Sequence, residues 1–478
     1  MMPEENTSGL RAGWALRVAL FWCLLICVFF GLVSTAPLWP KGRLDEHLKG
    51  ASRLLNKEGA YWMPFGQMPV LSNFTDAIML NIVGTLDSEE PVRSAMRMSV
   101  SYTPDDRDPG NPPYDLKNMV EGRAAAKSNY ARYWHGYAAI LRPLLSVIGF
   151  SDVRKISFFL STLLFSMTLL LLCRRTGWKV ALGFAIAMIG ADFPLSAFCM
   201  AYSGVFLVVL AATCIILYWN VRDEERLLFL FLLWGSLAAF IDFLTVPVVT
   251  CLLPLFAMIF SDLHQEAFRW NWPYTRRIVR LGMAWAAGYL LTWAAKWVLA
   301  DVVLGEGVIQ NALHQIFYRM GGAEKFTLFD RFLAVAKNIY MLAPFSTVPD
   351  DFAARQALHQ IIFDAAHTEG LAFFETLTLL IKEVCALLPA SVIWGLFLAA
   401  LTVLVYIALL VPMIMFSEKR WCLGALGYLS LAVLFLVPYL WLFVTANHAF
   451  VHCVFTFRNQ IPSVWLFLIL PHIMKKKT

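Results

Sequence analysis

Uncharged runs long enough to cross a bilayer recur along this 478-residue chain, separated by clusters of Lys and Arg. In hydrocarbon such a run must satisfy its own backbone N–H and C=O groups, which restricts it to a helix. The chain is 59% hydrophobic and 15% charged, with a mean hydropathy of +0.63, and so has too little polar surface for a soluble globule. The expectation is an all-α integral membrane protein of about ten transmembrane helices, at 14–35, 156–173, 179–198, 203–219, 227–243, 244–260, 281–300, 386–416, 423–444 and 461–474. The first run, Trp14 to Val33, leaves through VSTAPLW, a poor cleavage site, and reads as a retained anchor.

Positive residues in short loops stay cytoplasmic, so their placement sets the topology. Arg11 and Arg17, Arg174 to Lys179, Arg222 and Arg226, Arg269 to Arg280, Lys419 and Arg420, and Lys475 to Lys477 fall on alternate turns. Both termini are therefore expected in the cytoplasm, with a bacterial inner (plasma) membrane as the working location. The chain divides into residues 1–36 (N-terminus and first span), 37–152 (first outer loop), 153–300 (spans two to seven), 301–385 (second large outer loop) and 386–478 (spans eight to ten and the C-terminus). Amphipathic stretches, Tyr130 to Leu145 and Arg331 to Phe345, predict interfacial helices in both loops. The nine cysteines show no CxxC spacing and read as small apolar filler.

Within the first loop, Gly59 to Leu86 carries a single charge, Asp76. A loop domain facing water would scatter charges, so this run is expected to fold against the membrane with Asp76 in a crevice. Asp192, in IGADFPLS, and Asp242, in AAFIDFLTVP, fall at the same membrane level. Ionisable groups at that depth are costly and point to function, although Asp also caps helices. Three carboxylates at one level could hold Mg²⁺ or Mn²⁺, while one base with nearby cations would equally serve transfer chemistry. Lys296, between Trp293 and Trp297, and Arg458 are the cations of that face, suited to a lipid phosphate; snorkelling competes for Lys296. His448 and His452 have i, i+4 spacing, without an HExxH pattern. Trp134 and His135 interrupt an amphipathic face with polar tips, which suits either a sugar or the membrane interface. The acidic groups Asp105, Asp106, Asp108, Asp350 and Asp351 read as solvated turns. No P-loop, GxGxxG or GxSxG motif is present, which argues against cytosolic nucleotide chemistry, and no nucleic-acid module appears.

The order of parts resembles the GT-C glycosyltransferases: a first span, a large outer loop with a key carboxylate, six more spans, a second large loop and closing spans. The resemblance covers most of the chain as architecture, and NFTDAIMLN, YARYWHGYAAILRPLL, AAFIDFLTVP and NHAFVHCVFTFR look like segments of uncharacterised bacterial membrane proteins of this type. It implies transfer of a sugar from a polyprenyl-phosphate donor to an extracytoplasmic glycan, lipid or protein acceptor. It also implies a first-loop carboxylate as general base. Asp76 fits that role, with Asp45 as competitor because a first-loop base in the family usually follows the first span closely. Asp192, Asp242, Lys296, Arg458, His448, His452, Trp134 and His135 would bind substrate. The rival readings are a lipid or polysaccharide transporter and another carrier-dependent transferase, such as a polysaccharide ligase or acyltransferase.

Overall fold

The structure, a computed structural model, describes residues 5–63, 70–104, 111–322, 326–342 and 423–473. Most of the second loop, the expected span at 386–416 and the acidic groups Asp105, Asp106, Asp108, Asp350 and Asp351 lie outside the described residues. Chain order begins with α1 (Glu5–Thr35), followed in the first loop by α2 (Leu44–Glu58), α3 (Asn73–Thr85), α4 (Pro91–Arg97), α5 (Pro112–Val120) and α6 (Ala138–Val147). The bundle continues with α7 (Phe150–Thr176), α8 (Trp178–Gly190), the one-turn α9 (Phe193–Ser196), α10 (Met200–Trp219), α11 (Glu224–Ile241), α12 (Pro247–Leu263) and α13 (Trp272–Leu304). Two helices of the second loop, α14 (Val308–Arg319) and α15 (Leu328–Tyr340), precede Gly424–Val444 and Ile461–Ile473, which are joined by the short helices Ala446–Val451, Cys453–Thr456 and Phe457–Gln460.

Six of the described stretches are long and apolar enough to cross a membrane: Gly13–Leu38, Phe150–Thr176, Met200–Trp219, Trp272–Leu304, Gly424–Val444 and Cys453–His472. The architecture is that of a helical membrane protein. Three more expected spans coincide with α8, α11 and α12. Of these, α8 has 13 residues and α12 has 17. At about 1.5 Å per residue a 13-residue helix falls short of a hydrocarbon core about 30 Å thick. The cause is local: α8 gives way at Ala191 and Asp192 to a left-handed residue, where the sequence led us to expect a helix continuing to 198. The last expected span, 461–474, becomes the second part of a longer run that begins at Cys453. Among the described residues, the departure from an all-α fold is a two-stranded antiparallel ribbon, β1 (Val100–Tyr102) with β2 (Ala126–Ser128), and one bridge between Trp62 and Leu71.

The first loop is a helical cap on one end of the bundle. In α2 the buried Leu44, Leu48 and Leu55 share a face, each stabilising the cap by about 2 kcal/mol, while Asp45 and Glu46 stay in water at the helix N-terminus. Gly59, at φ +80, ends α2 in a conformation that a side chain would resist. Asn81 clamps β1 from α3, donating to the Ser101 carbonyl at 2.9 Å and accepting from its N–H at 2.8 Å. The opposite end of the bundle gathers the basic clusters: Arg175 donates to the Leu217 carbonyl at 3.0 Å, Arg280 pairs with Glu224 at 2.8 Å and Arg222 lies 3.5 Å from Asp262.

Helices α11 and α13 touch backbone to backbone through Gly235 and Gly288. A Cβ at Gly235 would lie 2.1 Å from the Trp285 carbonyl oxygen, and one at Gly288 would lie 2.1 Å from that of Leu232. Gly235→Ala is therefore expected to push the helices apart and destabilise the protein by about 1–3 kcal/mol. Gly282→Ala, on the same α13 but with nothing within 4 Å, is expected to leave the unfolding midpoint in detergent unchanged or slightly raised. Equal midpoints for the two variants would remove the contact from the account.

Candidate functional site

Three interruptions of the bundle meet beneath the cap. The chain leaves helix between α8 and α10 at Asp192, between α11 and α12 through Asp242–Val246, and at Thr445 and His452, the turns on either side of the short helix Ala446–Val451 that precedes the Cys453–His472 run. Non-helical backbone at such depth persists only where protein or a polar cavity satisfies it. The breaks satisfy one another: Asn459 donates to the Thr245 carbonyl at 3.1 Å, and His448 to the Leu244 carbonyl at 2.9 Å. Leu244, Asp192 and His135 all adopt left-handed backbone, at φ 68°, 59° and 54°. For a leucine this costs on the order of 1–3 kcal/mol, strain of the kind that concentrates at functional sites.

At the meeting point Arg458 is wholly buried. One guanidinium nitrogen donates to the Val454 carbonyl at 2.9 Å, and the group lies 4.4 Å from the centre of the Tyr202 ring and 4.7 Å from that of Phe457. Its Nε and Nη2 have no hydrogen-bond partner, and neither has the Asp192 Oδ2 3.8 Å away. Ser196 Oγ, Asn459 Oδ1 and Gln460 Oε1, on the same segments, are likewise buried and unpaired. Each unmet buried polar group costs about 1–3 kcal/mol, more when charged. Donors and acceptors without hydrogen-bond partners thus gather around one buried cation. Tyr202 also ties the cluster to the first loop, its hydroxyl being hydrogen-bonded to Ser72.

Asp76 occupies a different setting from the solitary crevice carboxylate expected from sequence. It is buried to 0% exposure, with Oδ2 accepting from Arg154 at 3.1 Å and Oδ1 accepting from the Ala201 N–H at 3.0 Å and the Cys199 thiol at 3.4 Å. Arg154 in turn binds Glu58 at 3.0 Å and the Asn73 amide oxygen at 2.6 Å. Burial pushes the Asp76 carboxyl above its ordinary range, against the opposing pull of Arg154. Both oxygens are occupied by donors, so Asp76 serves as the pin between the cap, α7 and α10.

Lys296, expected to hold a lipid phosphate, is also turned inward: its ammonium donates to the carbonyls of Ala95 and Met96 at 3.2 and 3.0 Å, fastening α4 to α13. Trp134 is buried over that ammonium and donates to the Thr292 carbonyl at 2.6 Å, which leaves no face for a sugar. His135 donates to the Tyr130 carbonyl at 3.0 Å and accepts from the Tyr137 hydroxyl at 2.9 Å; burial holds its pKa well below the ordinary value. Asp242 caps the break it begins, accepting from the Thr245 N–H at 2.9 and 3.0 Å. Both ring nitrogens of His448 are engaged, Nδ1 by Arg319 and Nε2 by Leu244, and its ring packs on His452 at 4.9 Å. A histidine with no free nitrogen is not a metal ligand. Asp76 and Asp242 are held by their own donors, and among the described residues no three His, Cys, Asp or Glu side chains come together as a cation site. Asp45 stays exposed on α2.

Arg154, Glu58, Tyr202 and Arg319 were not singled out by sequence reasoning. Arg154 carried a signal, as a cation at the first-loop end of an apolar span facing a run with one lone carboxylate; the others lie at sequence separations that pattern alone does not bridge. No family model, curated protein or solved structure matches this chain.

Two outcomes are expected. Asp76→Asn leaves Arg154 buried with one anionic partner fewer and should destabilise the protein by about 3 kcal/mol, read as a lower unfolding midpoint in detergent. An unchanged midpoint would return Asp76 to the pool of free catalytic groups. For His448, burial first and then Arg319 hold the folded pKa well below the ordinary value. Its contribution is therefore present at neutral pH and is lost as pH falls below roughly 6.5, where the unfolded chain takes up a proton that the folded protein refuses. His448→Asn should be less stable than the wild type at pH 8, and the gap should close by about 1.4 kcal/mol per pH unit on the acid side. A gap that stays constant with pH would overturn the assignment.

Proposed function

We propose that the chain is a membrane glycosyltransferase that moves a sugar from a polyprenyl-phosphate donor to an extracytoplasmic acceptor, with Arg458 and Asp192 at its centre. The observation that carries the reading is the buried Arg458 guanidinium, whose Nε and Nη2 make no hydrogen bond and whose only carboxylate contact among the described residues is a long ion pair, 3.8 Å, with an Asp192 oxygen that makes no hydrogen bond either. A guanidinium presents a planar fork to phosphate, and in a water-poor site its charge is worth far more than in water. In the reaction the acceptor hydroxyl oxygen attacks the anomeric carbon while the bond from that carbon to the phosphate oxygen breaks. Asp192 takes the hydroxyl proton, and the leaving polyprenyl phosphate carries its developing charge to Arg458. This moves the base from the first loop to the α8–α10 break, because Asp76 is committed to Arg154 and Asp45 is far out in solvent. Tyr202, which faces Arg458, offers a ring and a hydroxyl at the same place.

The test reconstitutes the full chain in bilayers with a radiolabelled polyprenyl-phosphate hexose or pentose and a cell-envelope glycan fraction as acceptor. Arg458→Gln should lower turnover by about 10²–10³-fold and Asp192→Asn by about 10²–10⁴-fold, with Arg458→Lys between Arg458→Gln and the wild type. Asp45→Asn should turn over as the wild type does. Undiminished turnover in Arg458→Gln, or a wild type that carries the labelled lipid across the bilayer without transferring its sugar, would overturn the proposal.

A further inference from the structure

Along its basic end α1 meets the bundle on a narrow seam. Phe21 packs edge-on against Phe229 at 5.2 Å, and Arg17 pairs with Glu225 at 3.0 Å. Beside that seam lies a cavity of ≈ 750 Å³ lined by Phe21, Trp219, Arg222, Arg226, Phe229 and Leu233. The wall changes character along α11: Arg226 stands in its first turn, and Phe229 and Leu233 follow one and two turns deeper.

The cations at the mouth are not equally occupied. Arg222 donates to Gln265 at 2.7 Å and lies 3.5 Å from Asp262, and Arg280 nearby is paired with Glu224. Asp223, the acid nearest Arg226, spends its carboxylate on the α11 N-terminus, accepting from the Arg226 backbone N–H at 2.8 Å. Among the described residues the exposed Arg226 guanidinium has no partner. The outward face of α1 beside the seam, Leu16, Leu20 and Leu24, is exposed and apolar, so the cavity lies at a surface that meets hydrocarbon.

We propose that this cavity binds an anionic glycerophospholipid, with its phosphate on Arg226, its headgroup level marked by Trp219 and an acyl chain along Phe21, Phe229 and Leu233. A basic mouth above an apolar, aromatic-walled groove between membrane helices complements such a lipid at both ends. The site lies at the end of the bundle opposite the Arg458 cluster and stands independently of the transferase reading.

Native mass spectrometry of the full chain, released from bilayers of phosphatidylcholine with phosphatidylglycerol, tests it by counting retained lipid. The wild type should retain phosphatidylglycerol in preference to phosphatidylcholine. Arg226→Gln should lose that retention about fivefold, the order expected of one basic side chain at an anionic surface, while Arg226→Lys keeps it. Arg174→Gln, which removes an exposed charge at the same end outside the cavity, should behave as the wild type, and Leu233→Trp should lose both lipids by filling the groove. Three results would each overturn the proposal: retention in Arg226→Gln equal to the wild type, an equal loss in Arg174→Gln, or displacement of the lipid by inorganic phosphate.

Discussion

The loop end of this protein depends on buried cations that fasten the first loop to the helix ends. Arg154 at the head of α7 grips Asp76, Glu58 and Asn73. Lys296 near the end of α13 holds the carbonyls of Ala95 and Met96. Arg142 of α6 donates to the carbonyls of Val83, Leu86 and Pro37 at 2.9, 3.0 and 3.2 Å. A cation taken out of water is tolerated only when its hydrogen bonds are replaced, and carbonyls at helix ends and turns are groups that also need donors. The cap is thereby fixed to the bundle at two points, by Arg154 and Lys296, while Arg142 ties α6 to the rest of the cap.

Sequence made the helical membrane class legible, because bilayer-length apolar runs and clustered Lys and Arg report burial directly. It also located the levels at which polar groups gather, since a carboxylate in an apolar run stands out. What it did not convey was who faces whom. Asp76 and Lys296 looked solitary because their partners, Arg154 and the carbonyls at Ala95 and Met96, are far away in the chain, and carbonyls leave no mark in a sequence. Asp242 turned out to follow the local alternative, capping its own turn, which a break of the form Asp-Phe-Leu-Thr already permits. Arg458 and Asp192 were visible as residues, but their distinguishing property, unpaired hydrogen-bonding atoms in a buried setting, exists only in three dimensions.

The helix breaks follow the same logic from the backbone side. Ending α8 at Gly190 and starting α12 only at Pro247 removes helix where the bundle could have continued it, and each freed N–H and C=O then needs a partner. Residues 446–460 provide these through His448, Asn459 and Gln460, whose side chains reach backbone carbonyls of Leu244, Thr245 and Asn338. Because Asn338 belongs to α15, this segment also couples the second loop to the breaks, with Thr456 donating to the Asn338 side chain at 2.7 Å. A polar network that extends from the second loop through the last helices to the α11–α12 turn fixes where Arg458 points.

The buried cations differ in how far the protein meets their hydrogen bonds. Lys296 has two carbonyls, and Arg154 has three side-chain oxygens. Arg458, equally buried, is given one carbonyl and two aromatic faces, with its nearest carboxylate beyond hydrogen-bond distance at 3.8 Å. Stacking on Tyr202 and Phe457 offsets part of the desolvation cost and holds the guanidinium plane, but it supplies no acceptor for Nε or Nη2. A fold that gives Lys296 two carbonyls and leaves Arg154 without a partner only at Nε leaves Arg458 short at Nη2 as well, in the segment where the helix breaks converge. In the proposed reaction that deficit is what would receive the donor phosphate, because a cation already saturated by the protein would have nothing left to exchange with it.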